Sequence, residues 1–223
     1  MIFETLHTEK KTQILEYLGL LLEINKNINL TRIDSIESAL LLHIEDSLHA
    51  LEQVSKEKGV FIDLGSGGGF PGVPLSIASD RRCILLDGRK KKMDAVRSIL
   101  KEMNLDEQIE CIGLRSEEYI LENQKTYNTV ISRAVSALPS VLELATPLMS
   151  SNGQFIAMCG KLSNEDLEKA ASLSDLLGLK LFDYKEYSLI ESSKRTLIIF
   201  RRVDNPRIKL PRRTGLAQKR PLL

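Results

Sequence analysis

From residue 60 onward the apolar pattern alternates between short runs and longer helical stripes. VFIDL (60–64), CILLD (83–87), IECIG (109–113), NTVISR (128–133) and QFIAMC (154–159) read as buried strands. The segments 74–79, 90–103, near 116–123, 138–149 and 163–177 read as helices. Strand–helix alternation requires a mostly parallel sheet with helices on both faces. Two further runs, near 180–189 and 194–202, have no helix between them and predict an antiparallel closing pair. Ahead of the alternation lie two helical patterns. Ile14, Leu18, Leu21 or Leu22, and Ile28 mark an amphipathic helix over 9–27, and Asp34 with Glu37 resembles a capping box opening a helix through about residue 53.

The turn after the first strand, "FIDLGSGGGFPGVPLSIA" (61–78), places five of the chain's 13 glycines between Gly65 and Gly72. Glycine weakens regular structure, so such a cluster implies unusual dihedrals or close approach of a ligand to the main chain. Ligands of open parallel sheets bind beyond the carboxyl ends of the strands, where this loop falls. The acids around it narrow the ligand. Asp63 ends the first strand and would repel a pyrophosphate, but would suit a ligand with an ammonium and a sulfonium. Asp87 ends the second strand, where ribose hydroxyls need a carboxylate, and Glu117 follows the third, placed for an adenine edge or a hydroxyl. S-adenosylmethionine satisfies all three, whereas Asp63 argues against a nucleotide-dependent oxidoreductase.

Three widely separated cysteines argue against a disulfide framework and for a reducing, intracellular setting. No apolar run is long enough for a signal peptide or a bilayer span, so a cytoplasmic chain is expected. The net charge of +1 hides an asymmetry. Residues 201–223 hold eight of the 31 basic residues and one of the 30 acids, leaving 23 basic and 29 acidic residues in the remainder. Such a tail is either a solvated end or an arm for a polyanion, with nucleic acid the usual candidate. His43, Asp46 and Ser47 share one face of the second predicted helix, but two candidate ligands do not make a metal site.

"NLTRI" (29–33), "HIEDS" (43–47), "DLGSGGGFPGVPLSIA" (63–78), "LLDGRKKK" (85–92), "RSEE" (115–118), "SRAVSAL" (132–138) and "PRRTGLAQKRPL" (211–222) together resemble one family over nearly the full length. It is the bacterial 16S ribosomal RNA guanine-N7 methyltransferase family (RsmG, also called GidB). The resemblance implies an α/β class I S-adenosylmethionine-dependent methyltransferase, Rossmann-like. Its mostly parallel sheet would have an antiparallel closing strand. A helical N-terminal cap would occupy residues 1–55, the methyltransferase domain 56–203 and a basic C-terminal arm 204–223. It also implies methyl transfer to N7 of a specific guanine in 16S rRNA of the small ribosomal subunit or its assembly precursor, by a monomer. The remaining alternative is a methyltransferase of the same fold acting on a different RNA, a protein or a small molecule.

By position, the resemblance implies that Gly65 and Phe70 line the cofactor pocket, joining Gly67 of the loop and the strand-end acids Asp63 and Asp87 as candidate cofactor contacts. Ser116 and Glu117 would meet the adenosine part, and Arg133 would stand at the active-site rim. Asn29, His43 and Asp46 would help to place the RNA. Arg115, Arg207, Lys209, Arg212, Arg213, Lys219 and Arg220 would contact its phosphates, fixing orientation without reading sequence. The chemistry is consistent with this. Guanine N7 has an in-plane lone pair and needs no general base. The fourth strand leads into "SRAVSALP", not the Asn/Asp-Pro-Pro-aromatic run used for exocyclic amines. Cys83, Cys111 and Cys159 fall in predicted strands, where buried, inert thiols are expected rather than the nucleophile that carbon-5 methylation requires.

Overall fold

The computed structural model describes residues 1–26, 28, 33, 35–133, 137–190 and 194–222. They form two compact units, Met1–Leu114 and Arg115–Leu223.

In the first unit, α1 (Thr8–Asn25) buries Ile14, Tyr17, Leu18 and Leu21. The helix stops at Asn25, so Ile28, expected on the same stripe, is 39% exposed. Asp34 lies outside the described residues, and Ser35 caps the next helix by accepting from the Ser38 N–H. The single helix expected through residue 53 is four segments: α2 (Ile36–Ala39), a π-helical stretch (Leu40–Glu45), α3 (Asp46–Leu48) and α4 (Leu51–Lys56). The π-helical stretch ends on Glu45, a buried carboxylate that accepts from the N–H groups of Ile2 (2.6 Å) and Phe3 (3.0 Å). Strands β1 (Phe61–Leu64), β2 (Cys83–Leu86) and β3 (Ile109–Ile112) are parallel, in the order β3-β2-β1, with Phe61 opposite Cys83 and Cys83 opposite Ile109. All residues of β1 and β2 are buried, as parallel strands covered on both faces demand. Helices α5 (Gly72–Ser79) and α6 (Lys90–Glu102) connect them, and α1 packs on both.

The second unit begins with α7 (Ser116–Asn123) and β4 (Tyr127–Arg133). Helix α8 (Leu138–Ala145) ends earlier than expected, in a 3-10 turn (Thr146–Leu148) whose Pro147 lacks the donor that a longer helix would need. Strand β5 (Met149–Gly160) starts directly after it, and α9 (Asn164–Leu176) follows. Strands β6 (Leu179–Ser188) and β7 (Lys194–Arg202) form the expected antiparallel pair. The order is β4-β5-β7-β6: β4 and β5 are parallel, and β7 runs against β5. Phe155 and Phe200 stack between these two strands with centroids 6.4 Å apart.

The basic tail is anchored to the rest of the second unit at several points, although many of its side chains are exposed. Val203 N–H bonds the carbonyl of Gly178 (2.9 Å) and Arg207 N–H that of Leu176 (2.9 Å). The last turn, α10 (Leu216–Lys219), packs on α8 and buries Ala217.

Candidate cofactor-binding site

The glycine loop is built from backbone geometry that side chains resist. Gly65 (φ 76°), Gly67 (56°) and Gly69 (83°) all adopt the left-handed region. Gly65 N–H bonds the carbonyl of Leu86 (2.7 Å), which ties the loop to the end of β2. Gly69 and Gly72 answer to packing as well. A Cβ on Gly69 would strike the Tyr17 hydroxyl, and one on Gly72 would strike Leu85 and the Asp63 carboxylate. At Gly67 a Cβ would meet nothing within 4 Å, so here the main chain faces open space.

Two carboxylates hold this loop. Asp63 has no exposed surface, and its Oδ2 accepts from the Gly72 N–H at 2.8 Å. From sequence alone it is expected to face a ligand cation. In the structure its Oδ2 also holds the first residue of α5, so this carboxylate braces the loop. Asp87 is 7% exposed; Oδ2 accepts from the Gly67 N–H (3.0 Å) and Oδ1 from the Arg89 N–H (2.8 Å). A carboxylate has about four acceptor sites, so Asp87 can clamp the loop and still receive two hydroxyls.

The N-terminal helices supply the loop's other wall. Tyr17 donates its hydroxyl to the Gly68 carbonyl (2.9 Å) and meets Phe70 edge-on at 6.1 Å. His43, within the π-helical stretch, stacks face to face on Phe70 with centroids 4.5 Å apart. Ser47 donates to the His43 carbonyl (2.5 Å), whereas Asp46 is buried at 5% exposure. Asn29 lies outside the described residues. Tyr17 is a site residue that sequence reasoning missed, although its place between Ile14 and Leu18 on the buried stripe puts a hydroxyl where an apolar side chain would have sufficed.

In the second unit, Ser116 and Glu117 open α7 and are both buried. Ser116 donates to the Leu144 carbonyl (2.9 Å), and Glu117 Oε1 accepts from the Gly215 N–H (2.8 Å). Arg115, the exposed residue ahead of that helix, receives its cap from Glu118 Oε2 (3.1 Å). Arg133 ends β4, half-buried. A cavity of about 200 Å³ opens at the carboxyl ends of β4 and β5, lined by Ser132, Leu138, Val141, Met158, Gly160 and Asp166.

Two of the expected phosphate contacts have partners within the protein. Arg212 grips Glu143 with Nε and Nη2 (2.7 and 2.6 Å), and Glu143 is 3% exposed. Arg207 grips Asp175 at 2.7 and 3.2 Å, but both side chains are largely exposed. Exposed pairs of this kind contribute little and exchange readily. Lys209, Arg213, Lys219 and Arg220 are exposed. Burial pushes all three thiols up, that of Cys111 to about 12 and that of Cys159 to about 11. Near neutral pH they are protonated and poor nucleophiles.

These residues fit S-adenosylmethionine: an open left-handed glycine loop lets a ligand approach the main chain, and a nearly buried strand-end carboxylate beside it suits a ribose.

Comparison with known proteins agrees. Residues 10–198 match the family model described as GidB, rRNA small subunit methyltransferase G. A Clostridium novyi protein named ribosomal RNA small subunit methyltransferase G is 32% identical over 220 residues, covering 96% of this chain and 90% of that protein. The Pelotomaculum thermopropionicum protein of the same name is 34% identical over 221 residues, covering 96% and 92%. Among solved structures, a Bacillus cereus O-methyltransferase in complex with SAH superposes with a TM-score of 0.57 at 15% identity, over 83% of this chain and 90% of that one. A second, M. jannaschii TYW2 in complex with AdoMet, gives 0.54 at 13% identity, over 71% and 77%. The fold is therefore the class I methyltransferase fold, mostly parallel with one antiparallel strand near its end. By the extent of the family match and the identity to its members, the chain belongs to the rRNA small subunit methyltransferase G family.

Proposed function

We propose that this protein methylates N7 of one guanine in 16S rRNA, using S-adenosylmethionine. Family membership supports the S-adenosylmethionine-dependent methylation of small-subunit rRNA. The observation that carries the reading at the level of residues is the glycine loop, held open in left-handed geometry and clamped to Asp87. When bound, the cofactor supplies an electrophilic methyl group on a sulfonium. Gly65 and Gly67 bring the main chain to it, Asp87 takes the ribose hydroxyls, and Asp63 keeps the loop in place. Phe70, backed by His43 and Tyr17, forms an apolar wall, and Ser116 and Glu117 take the adenosine part.

The acceptor nitrogen needs no deprotonation, so the protein's contribution is orientation and exclusion of water. The cavity at the ends of β4 and β5, with Arg133 at the end of β4, supports placement of the base there. Arg115, Lys209, Arg213, Lys219 and Arg220 present cations at the surface, as phosphate contacts require. With ribosomal RNA as substrate, the reaction belongs in the cytoplasm.

The test is incubation with radiolabelled S-adenosylmethionine and ribosomal subunits from cells lacking the enzyme. Label is expected in 16S rRNA and not in 23S rRNA. Label confined to protein or to small molecules would overturn the assignment.

A further inference from the structure

Glu143 is the only charged residue of α8, whose sequence is LPSVLELA. An unpaired carboxylate at such a position is costly to bury. Arg212 supplies the partner with a two-pronged grip, and its Nη2 also donates to the Arg220 carbonyl (2.9 Å), closing residues 212–220 into a compact turn. Within that turn Gly215 stands in the left-handed region (φ 77°) and directs its N–H to Glu117 Oε1. The opening of α7 is tied to the same place from the other side, since Ser116 bonds the carbonyl of Leu144, the residue after Glu143.

We propose that the C-terminal turn is a positioning element for the adenosine side of the cofactor site: Arg212, locked on Glu143, holds Gly215 so that its N–H fixes the Glu117 carboxylate. This rests on the assignment of Glu117 to the cofactor. The Gly215 N–H uses one of about four acceptor sites on that carboxylate, leaving others for a ligand hydroxyl or amine. An oriented carboxylate loses less freedom on binding than a mobile one, so the turn raises affinity without touching the ligand. From charge alone the tail is either a solvated end or an arm for a polyanion, and the family resemblance implies an arm for RNA. Arg212 and Gly215 assign part of it to the cofactor instead, and leave its exposed cations for RNA.

The test is calorimetric titration of S-adenosylhomocysteine into the wild-type protein, E117Q, R212A and the double variant, each checked for folding by circular dichroism. E117Q and R212A are each expected to weaken binding about tenfold, the lower range for a charge-assisted hydrogen bond. The double variant should bind no more weakly than E117Q alone, because Arg212 acts through Glu117. In steady-state transfer R212A should raise KM for S-adenosylmethionine and leave kcat at saturation near the wild-type value. If R212A does not fold, R212K, which keeps the charge and loses the fork, carries the same comparison. Wild-type affinity for R212A, or losses that multiply in the double variant, would overturn the positioning role alone. Wild-type affinity for E117Q would overturn the assignment of Glu117, and the positioning role with it.

Discussion

Gly65 and Gly67 answer different needs within one loop. At Gly65 the left-handed φ of 76° brings the N–H onto the Leu86 carbonyl, whereas at Gly67 the open space beside the main chain is what a ligand can use. Gly65→Val puts a β-branched side chain where φ is positive and costs on the order of 1–3 kcal/mol in backbone strain. The expected result is a lower melting temperature together with weaker S-adenosylhomocysteine binding, read by differential scanning and titration calorimetry. Asp87→Ala acts on both the loop and the ligand. It removes a charged acceptor of two loop N–H groups and of the proposed ribose contact, so affinity should fall by about tenfold to hundredfold. Equal affinity in Asp87→Ala would place the ribose elsewhere. The thiols give a check of a different kind. With burial holding Cys159 up at about 11 and Cys111 at about 12, both lie in the thiol form throughout the neutral range. Iodoacetamide at pH 7.5 should leave the native protein unmodified at these positions, as mass spectrometry would show.

The strand–helix alternation was legible because each run is short, apolar and bounded by turn residues, so the strands lie where the pattern puts them, except that β5 begins at Met149, ahead of the run QFIAMC (154–159). What periodicity could not show was the division of the second helix, since LLLHIE carries no glycine or proline to mark the π-helical stretch. It also hid Tyr17, because a buried tyrosine and a buried leucine occupy the same stripe position. The unusual dihedrals of the glycine loop could be read from residue type alone, but the clamp of Asp87 on the Gly67 N–H could not. The engagement of Glu117 by Gly215 could not, because it joins residues 98 apart in the chain. Glu143 did leave a signal: an acid inside an apolar helix implies a cation brought to it. Tyr17 offers the test of how α1 supports the loop. Tyr17→Phe keeps the ring against Phe70 and removes the hydroxyl, leaving the buried Gly68 carbonyl without that donor. The loss should be about 1–3 kcal/mol of stability, the range for a buried group left unsatisfied. Denaturant unfolding measures it, and an unchanged midpoint would mean that the loop holds its shape without the Tyr17 hydroxyl.

The chain is nearly neutral overall, but its last 23 residues carry eight basic residues against one acid. The structure divides that end by task. Arg212 is committed to a buried acid, Arg207 to an exposed one, and Lys209, Arg213, Lys219 and Arg220 lie at the surface. Replacing Lys209, Arg213 and Lys219 with alanine should reduce the slope of log affinity for 16S rRNA against log salt by about 0.7–0.9 for each phosphate no longer neutralised. Parallel lines for the variant and the wild type would mean that these cations do not meet phosphate. The methylated atom can be mapped directly. Small subunits from cells lacking the enzyme, treated with the protein and S-adenosylmethionine, should yield 16S rRNA that chemical cleavage specific for N7-methylguanosine cuts at one new position. A methyl group found on an exocyclic amine, a ribose or a pyrimidine, with no new N7 cleavage, would contradict the account.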